Sequence, residues 1–146
     1  MRRRVFALDV GDVRIGIAVS DPTGTIAQPL DVYKRIGYGP DCRYVQALCQ
    51  KYDTCEVLMG LPLNMDGTHG FQAQKVRDFG RVLEQAGLHV HYQDERMTTV
   101  TAEQVLITGN VRRGDRKRYV DKLAATVILE QWLASGGWQK EEENGR

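Results

Sequence analysis

Three acidic positions in this chain stand where a carboxylate needs a reason. Asp9 lies inside Val5-Phe-Ala-Leu-Asp-Val10, a short apolar run, β-prone on both faces, that reads as a strand buried in mid-sheet. Taking an ionised carboxylate out of water costs several kcal/mol unless a donor array, a cation or a metal compensates. Asp94 and Glu95 close a later apolar run that starts at Leu88, and Asp121 sits near the edge of the apolar stripe of the last helix. Brought together, like charges repel, and the arrangement becomes favourable when hard divalent cations, which prefer oxygen ligands, sit among them. Two such ions about 4 Å apart activate water and stabilise the leaving oxygen of a phosphodiester displacement. A turn cap of the Asx type is the competing reading for Asp9, and the stretch alone leaves both open. Spacing does not by itself prove that the three acids converge.

The elements that must position these acids follow from periodicity. Gly11 and Asp12 turn the chain, Arg14 to Ser20 alternates as a second strand, and Pro29 to Arg35 reads as a third, which predicts an antiparallel meander. Tyr44, Val45, Leu48, Cys49 and Tyr52 follow helical spacing, with Asp41 as the expected N-cap after Gly39-Pro40. Cys55 to Gly60 is a further buried strand, and Gly60 to Gly67 is a loop rich in turn formers. Thr68 and Gly70 open a second helix with the inner stripe Val76, Phe79, Leu83 and Ala86, ended by Gly87. In the next strand, Leu88 to Gln93, His89 and His91 share a face. With no third nitrogen or thiolate ligand nearby in sequence they read as ordinary strand-face histidines. Thr98 and Thr99 suit the N-cap of a third helix carrying Ala102, Val105 and Leu106 and ended by Gly109. Val111 to Arg118 is the one dense charge run and reads as a short linker, either solvated or phosphate-binding. The last helix is expected to bury Val120, Leu123, Ala124, Val127, Ile128 and Gln131 or Trp132, with small Ala124 and Ala125 allowing close approach to a sheet.

Composition bounds the rest. A chain of 146 residues fits one domain, expected over residues 1–138 with a polar tail at 139–146. Lys plus Arg is 20 against Asp plus Glu 19, so any polyanion site must be local rather than a property of the whole surface. Cys42, Cys49 and Cys55 lack the number and spacing of a disulfide or zinc framework; the first two read as packing residues, and the set points to a reducing compartment. The apolar run after Arg2-Arg-Arg4 is too short for a signal peptide or a membrane span, which makes a cytoplasmic location the expectation.

Four stretches carry a family resemblance: Leu8-Asp-Val-Gly with Arg14-Ile-Gly and Ser20-Asp21, Gly60-Leu-Pro-Leu-Asn-Met-Asp-Gly67, Asp94-Glu-Arg-Met-Thr-Thr99, and Val120-Asp-Lys-Leu-Ala-Ala125. As a set, in this order, they resemble the bacterial YqgF-type family of Holliday junction resolvases. That family is also described as nucleases maturing the small-subunit ribosomal RNA precursor, and it has the ribonuclease H-like fold. The resemblance spans essentially the whole domain. It implies an α/β fold with a mixed five-stranded sheet flanked by helices, Asp9, Glu95 and Asp121 as catalytic metal ligands, and Mg2+ or Mn2+ as cofactor. Neighbouring strand residues point to opposite faces, so Asp94 and Glu95 cannot both enter one site if the strand continues through them. The family comparison favours Glu95, with Asp94 as the fallback. On this reading Arg14, Arg96, Thr98, Thr99, Arg112, Arg113, Arg116, Lys117 and Arg118 meet nucleic-acid phosphates, although an ion pair with the acids themselves competes for Arg14 and Arg96. The implied substrate is ribosomal RNA precursor at the 5′ end of 16S RNA, with four-way DNA as the alternative. Cutting a junction needs two sites on a symmetric dimer, cutting RNA needs one, and a monomer or weak homodimer is the expectation. Two other classes compete. The kinase and actin-like ATPases share an Asp-x-Gly turn but need a second lobe, and a non-catalytic RNA-binding module would keep the fold without the chemistry.

Overall fold

Strand β1 (Phe6–Val10) pairs antiparallel with β2 (Arg14–Ser20), which pairs antiparallel with β3 (Ala27–Lys34), and this is the expected meander. This computed structural model describes residues 3–95 and 113–139, the side chains of 113–120 and of residue 122 excepted. Strand β4 (Glu56–Leu61) lies parallel to β1, and β5 (His89–Asp94) lies parallel to β4, so the sheet is mixed, five-stranded and ordered β3-β2-β1-β4-β5. Parallel neighbours need crossover connections, which α1 (Tyr38–Lys51) and α2 (Phe71–Gln85) supply. Both helices pack on one face, where Phe6, Leu8, Ile15, Ile17, Val57 and Met59 meet Val45, Cys49, Val76, Phe79 and Leu83. Helix α3 (Arg113–Ala134) covers the other face, laying Ala125, Ile128, Leu129 and Trp132 on Val5, Ala7, Ala18 and Leu58. Among the described residues no helix is long and apolar enough to cross a membrane.

The sheet phase decides what faces what. Val5 and Ala7 lie on the α3 side, so strand alternation sends Asp9 to that side too, toward the helix that carries Asp121.

Three elements differ from the sequence reading. Helix α1 begins at Tyr38, not after Asp41, because Pro40 fits the first turn, where no N–H partner is needed. Asp41 is therefore inside the helix. Fully buried, it accepts hydrogen bonds from the backbone N–H groups of Ile36 and Gly37 and pairs with Arg35 Nε at 2.9 Å. The basic run is not a linker over Arg113 to Arg118: this backbone forms the first turns of α3. Helix α3 is buried across Ala125–Leu129 without a break, wider than a single stripe, because it crosses the sheet over β1, β2 and β3. The helix expected over Thr98 to Gly109 and the tail from residue 140 lie outside the described residues.

Candidate functional site

Asp9 stands directly opposite Gly16 in the β1–β2 ladder. Gly16 has no side chain, and the backbone of Asp121 fills the space: a Cβ built on Gly16 would lie 2.7 Å from the Asp121 carbonyl carbon. This close approach brings the acid of α3 to the acid of β1. Gly60 plays the same part for the third acid. Its missing side chain leaves room for the Glu95 carboxyl, whose Cδ would be 2.7 Å from a Cβ at that position, with Ile128 Cδ1 equally near. Two glycines, on the strands either side of β1, thus make the room in which Asp121 and Glu95 approach Asp9.

Glu95, rather than Asp94, reaches Asp9, and the two share a hydrogen bond. A bond between two carboxyls requires a proton, and the environment supplies the reason to keep one. Burial first, then the Asp9 charge, its hydrogen bond and the Asp94 charge push the Glu95 carboxyl up to about 8. Burial also raises Asp9; the hydrogen bond to Glu95 opposes this, and the charge of Asp121 adds to it. Asp121 accepts a hydrogen bond from Arg14 Nε at 3.1 Å, so for Arg14 the ion pair with an acid is the observed arrangement. Asp9, Gly11, Asp12, Val13, Arg14 and Asp121 line a cavity of about 220 Å³ at the carboxyl end of β1.

The turn that forms the cavity wall is held from outside. Gly11 N–H donates to the Arg14 carbonyl at 2.9 Å, Arg35 Nη1 donates to the Gly11 carbonyl at 3.0 Å, and Arg35 N–H donates to the Val13 carbonyl at 2.8 Å. The Arg35–Asp41 pair thereby connects the start of α1 to the loop beside Asp9, a link between residues that sequence reasoning assigned only to a strand end and a cap. Asp12 on the rim pairs with Lys75 of α2 at 3.1 Å.

Arg96, Thr98, Thr99 and Arg112 lie outside the described residues; Arg113, Arg116, Lys117 and Arg118 are placed by backbone alone, in the first two turns of α3. His89 and His91 are not ordinary strand-face residues. His91 is buried, and both rings meet the buried Glu56 of β4, His89 Nδ1 at 3.2 Å and His91 Nε2 at 2.7 Å. The cysteine reading fits: Cys42 and Cys49 are buried in the core, and burial, with the nearby Cys55 adding to it, pushes the Cys49 thiol up to about 12.

The raised Glu95 pKa has a pH signature in the metal-free protein. A carboxyl that ionises near 4.5 when exposed and near 8 when folded binds its proton more tightly in the native state. Its stabilising contribution is complete below about 4.5 and is lost as pH rises through about 8. Denaturant titrations of wild type and Glu95→Gln across this window should diverge, the wild type losing a few kcal/mol relative to the variant as pH rises. A constant difference would mean that Glu95 ionises normally.

Comparison with known proteins agrees in sequence and in fold. The profile of the RuvX Holliday junction resolvase family matches residues 3–135. A protein of Syntrophomonas wolfei, provisionally named pre-16S rRNA nuclease, is 41% identical over 139 residues, covering 94% of this chain and 99% of its own. One from Caldanaerobacter subterraneus with the same name is 44% identical over 134 residues, covering 90% of this chain and 96% of its own. Among solved structures, Thermus thermophilus RuvC in complex with a Holliday junction substrate superimposes with a TM-score of 0.57 at 16% identity, over 92% of this chain and 97% of that one. That likeness shows the fold, a mixed sheet flanked by helices of the RuvC and ribonuclease H-like type. The chain belongs to the RuvX Holliday junction resolvase family.

Proposed function

We propose that this chain is a nuclease that hydrolyses phosphodiester bonds with a divalent metal, Mg2+ or Mn2+, held by Asp9, Glu95 and Asp121, and that it processes the 5′ end of pre-16S ribosomal RNA. The observation that carries the reading is the contact between Asp9 and Glu95: two largely buried carboxyls held together, with a third acid facing them. Such a cluster needs either a bound proton or a cation, and its donors are all oxygen, the set preferred by hard divalent ions. Bound there, the ion supplies Lewis-acid activation of water and neutralisation of phosphate charge.

The protein's own groups do the positioning. Gly16 and Gly60 fix how closely the acids approach. Arg14 holds the Asp121 carboxylate, and with 30% of its side chain exposed it stands ready for a phosphate beside the cavity. Arg96, Thr98, Thr99, Arg112, Arg113, Arg116, Lys117 and Arg118 are assigned to the nucleic-acid backbone, where charge contacts fix register without reading sequence. The relatives named for pre-16S rRNA favour RNA over four-way DNA.

The test is divalent-dependent cleavage of 16S precursor fragments and of four-way DNA, comparing wild type with Asp121→Asn. Cleavage of the RNA by wild type alone supports the proposal. Preferential cutting of the junction moves the substrate to DNA, while no cleavage by either protein, or equal cleavage by both, overturns it. A second outcome separates the two roles of Arg14. In Arg14→Gln the cation that competes for Asp121 is gone, so Mn2+ should bind several-fold tighter while kcat/KM for nucleic acid falls about tenfold. Unchanged values in both measurements would remove Arg14 from the site.

A further inference from the structure

The sheet carries a second concentration of ligand-type side chains, at the end away from the acidic cavity. Parallel pairing sets Glu56 beside His89, and the His89 N–H donates to the Cys55 carbonyl at 2.8 Å. Two strands therefore bring together a thiol, a carboxylate and an imidazole that are 33 or 34 residues apart in sequence. One donor atom from each of Cys55, Glu56 and His89 lies within 4.8 Å of the other two. Among the described residues this is the group that closes to that spacing; the acidic trio is more open.

We propose that Cys55, Glu56 and His89 form a binding site for a divalent transition metal of the zinc class. Sulfur, nitrogen and oxygen donors together suit Zn2+, whereas the all-oxygen trio suits Mg2+ or Mn2+, so the two sites select different ions. The Glu56 side chain is 3% exposed, and His91 Nε2 holds its other carboxylate oxygen at 2.7 Å. This is the outer support that fixes a ligating carboxylate in orientation. His91 is in turn packed on Trp132, with ring centroids 5.4 Å apart, which anchors the support to α3. Access is open: the His89 side chain is 58% exposed, and Cys55 borders a cavity of about 450 Å³ shared with Arg3, Cys49, Thr54 and Leu88.

Arg3 opposes the ion. Its Nη1 lies 3.4 Å from Glu56 Oε1, but the side chain is 52% exposed and free to swing into water. The metal takes over the place of that guanidinium and ties the edge strand β5 to β4. Separation from the acidic site is set by strand length, five residue steps between His89 and Asp94, about 17 Å.

The test uses the full chain, stripped of metal and saturated with Mg2+, titrated with Co2+. A thiolate–Co2+ charge-transfer band together with tetrahedral visible bands, saturating at one equivalent and abolished by Zn2+, is the expected result. Cys55→Ser should lose the charge-transfer band, His89→Ala should weaken binding roughly tenfold or more, and Arg3→Ala should tighten it. Asp9→Asn should leave the titration unchanged. Zn2+ at a hundredfold excess over its dissociation constant should raise the melting temperature by about 5 to 10 °C. A wild type without the charge-transfer band, or a band that persists in Cys55→Ser, overturns the proposal. If Cys55→Ser does not fold, His89→Ala decides: unchanged Co2+ affinity there overturns the site equally.

Discussion

Asp9→Asn lowers divalent-dependent cleavage about 10³-fold and at the same time raises the melting temperature of the metal-free protein at pH 8. The first effect corresponds to about 4 kcal/mol of transition-state stabilisation, the scale of one preorganised electrostatic contact at the reacting group. The second follows from what Asp9 does when no cation is present. Burial and the nearby charge of Asp121 both raise its pKa, against the hydrogen bond to Glu95 that lowers it, so its charge is a burden that the metal-free fold carries. Asparagine keeps the shape and removes the charge. Loss of function with gain of stability is the pattern of a residue kept for chemistry rather than for folding. Paired measurements of cleavage rate and thermal unfolding decide it; a variant that cuts normally, or that melts lower than wild type, refutes this role for Asp9.

The second large effect comes from a residue with no functional group. Gly16→Ala places a methyl against the backbone of Asp121, with the carbonyl carbon 2.7 Å away. No rotamer change relieves a clash with backbone, so α3 must move off β2 or the ladder must distort. Overpacking of this kind costs about 3 kcal/mol or more, which for a domain of this size lowers the melting temperature by about 10 °C. Because the displaced atoms belong to Asp121, activity falls with stability, and a misplacement of about 1 Å is enough for about 10²-fold. Gly80→Ala is the control. There the new methyl meets the hydroxyl end of the Tyr92 side chain, which can turn aside, so the variant should be milder and should cut at near the wild-type rate. Equal melting temperatures for the two variants would mean that the helix does not rest on Gly16.

These two residues also mark what the sequence disclosed and what it withheld. Asp9 was legible because a carboxylate inside an apolar strand conflicts with its surroundings. The meander, the later strands and α2 were legible because each has a clean period and clear turn residues at its ends. Between Asp94 and Glu95 the deciding fact is where β5 stops: its last residue is Asp94, and Glu95, one step beyond it, turns its carboxyl against Gly60 of β4. The roles of Gly16 and Gly60 depend on which backbone or side chain comes near from 35 to 105 residues away, and no local pattern encodes that. Register hid the partners of His89 and His91 in the same way. Glu56 and Cys55 precede them by a full crossover, so a search for a nearby third ligand along the chain passes over them. Asp41 shows a subtler failure. Its type signalled a helix cap, and it does bind backbone N–H groups at the helix start, but from within the first turns, reaching back to Ile36 and Gly37.

One feature of β3 bears on how copies of this chain could associate. The strand lies at the border of the sheet and contains Pro29, opposite Ala18 and next to the register shift between Ile17 and Ala18. Proline offers no hydrogen for a further ladder, and an irregular border strand is a poor template for another. Two molecules set side by side would therefore not fuse their sheets along this margin.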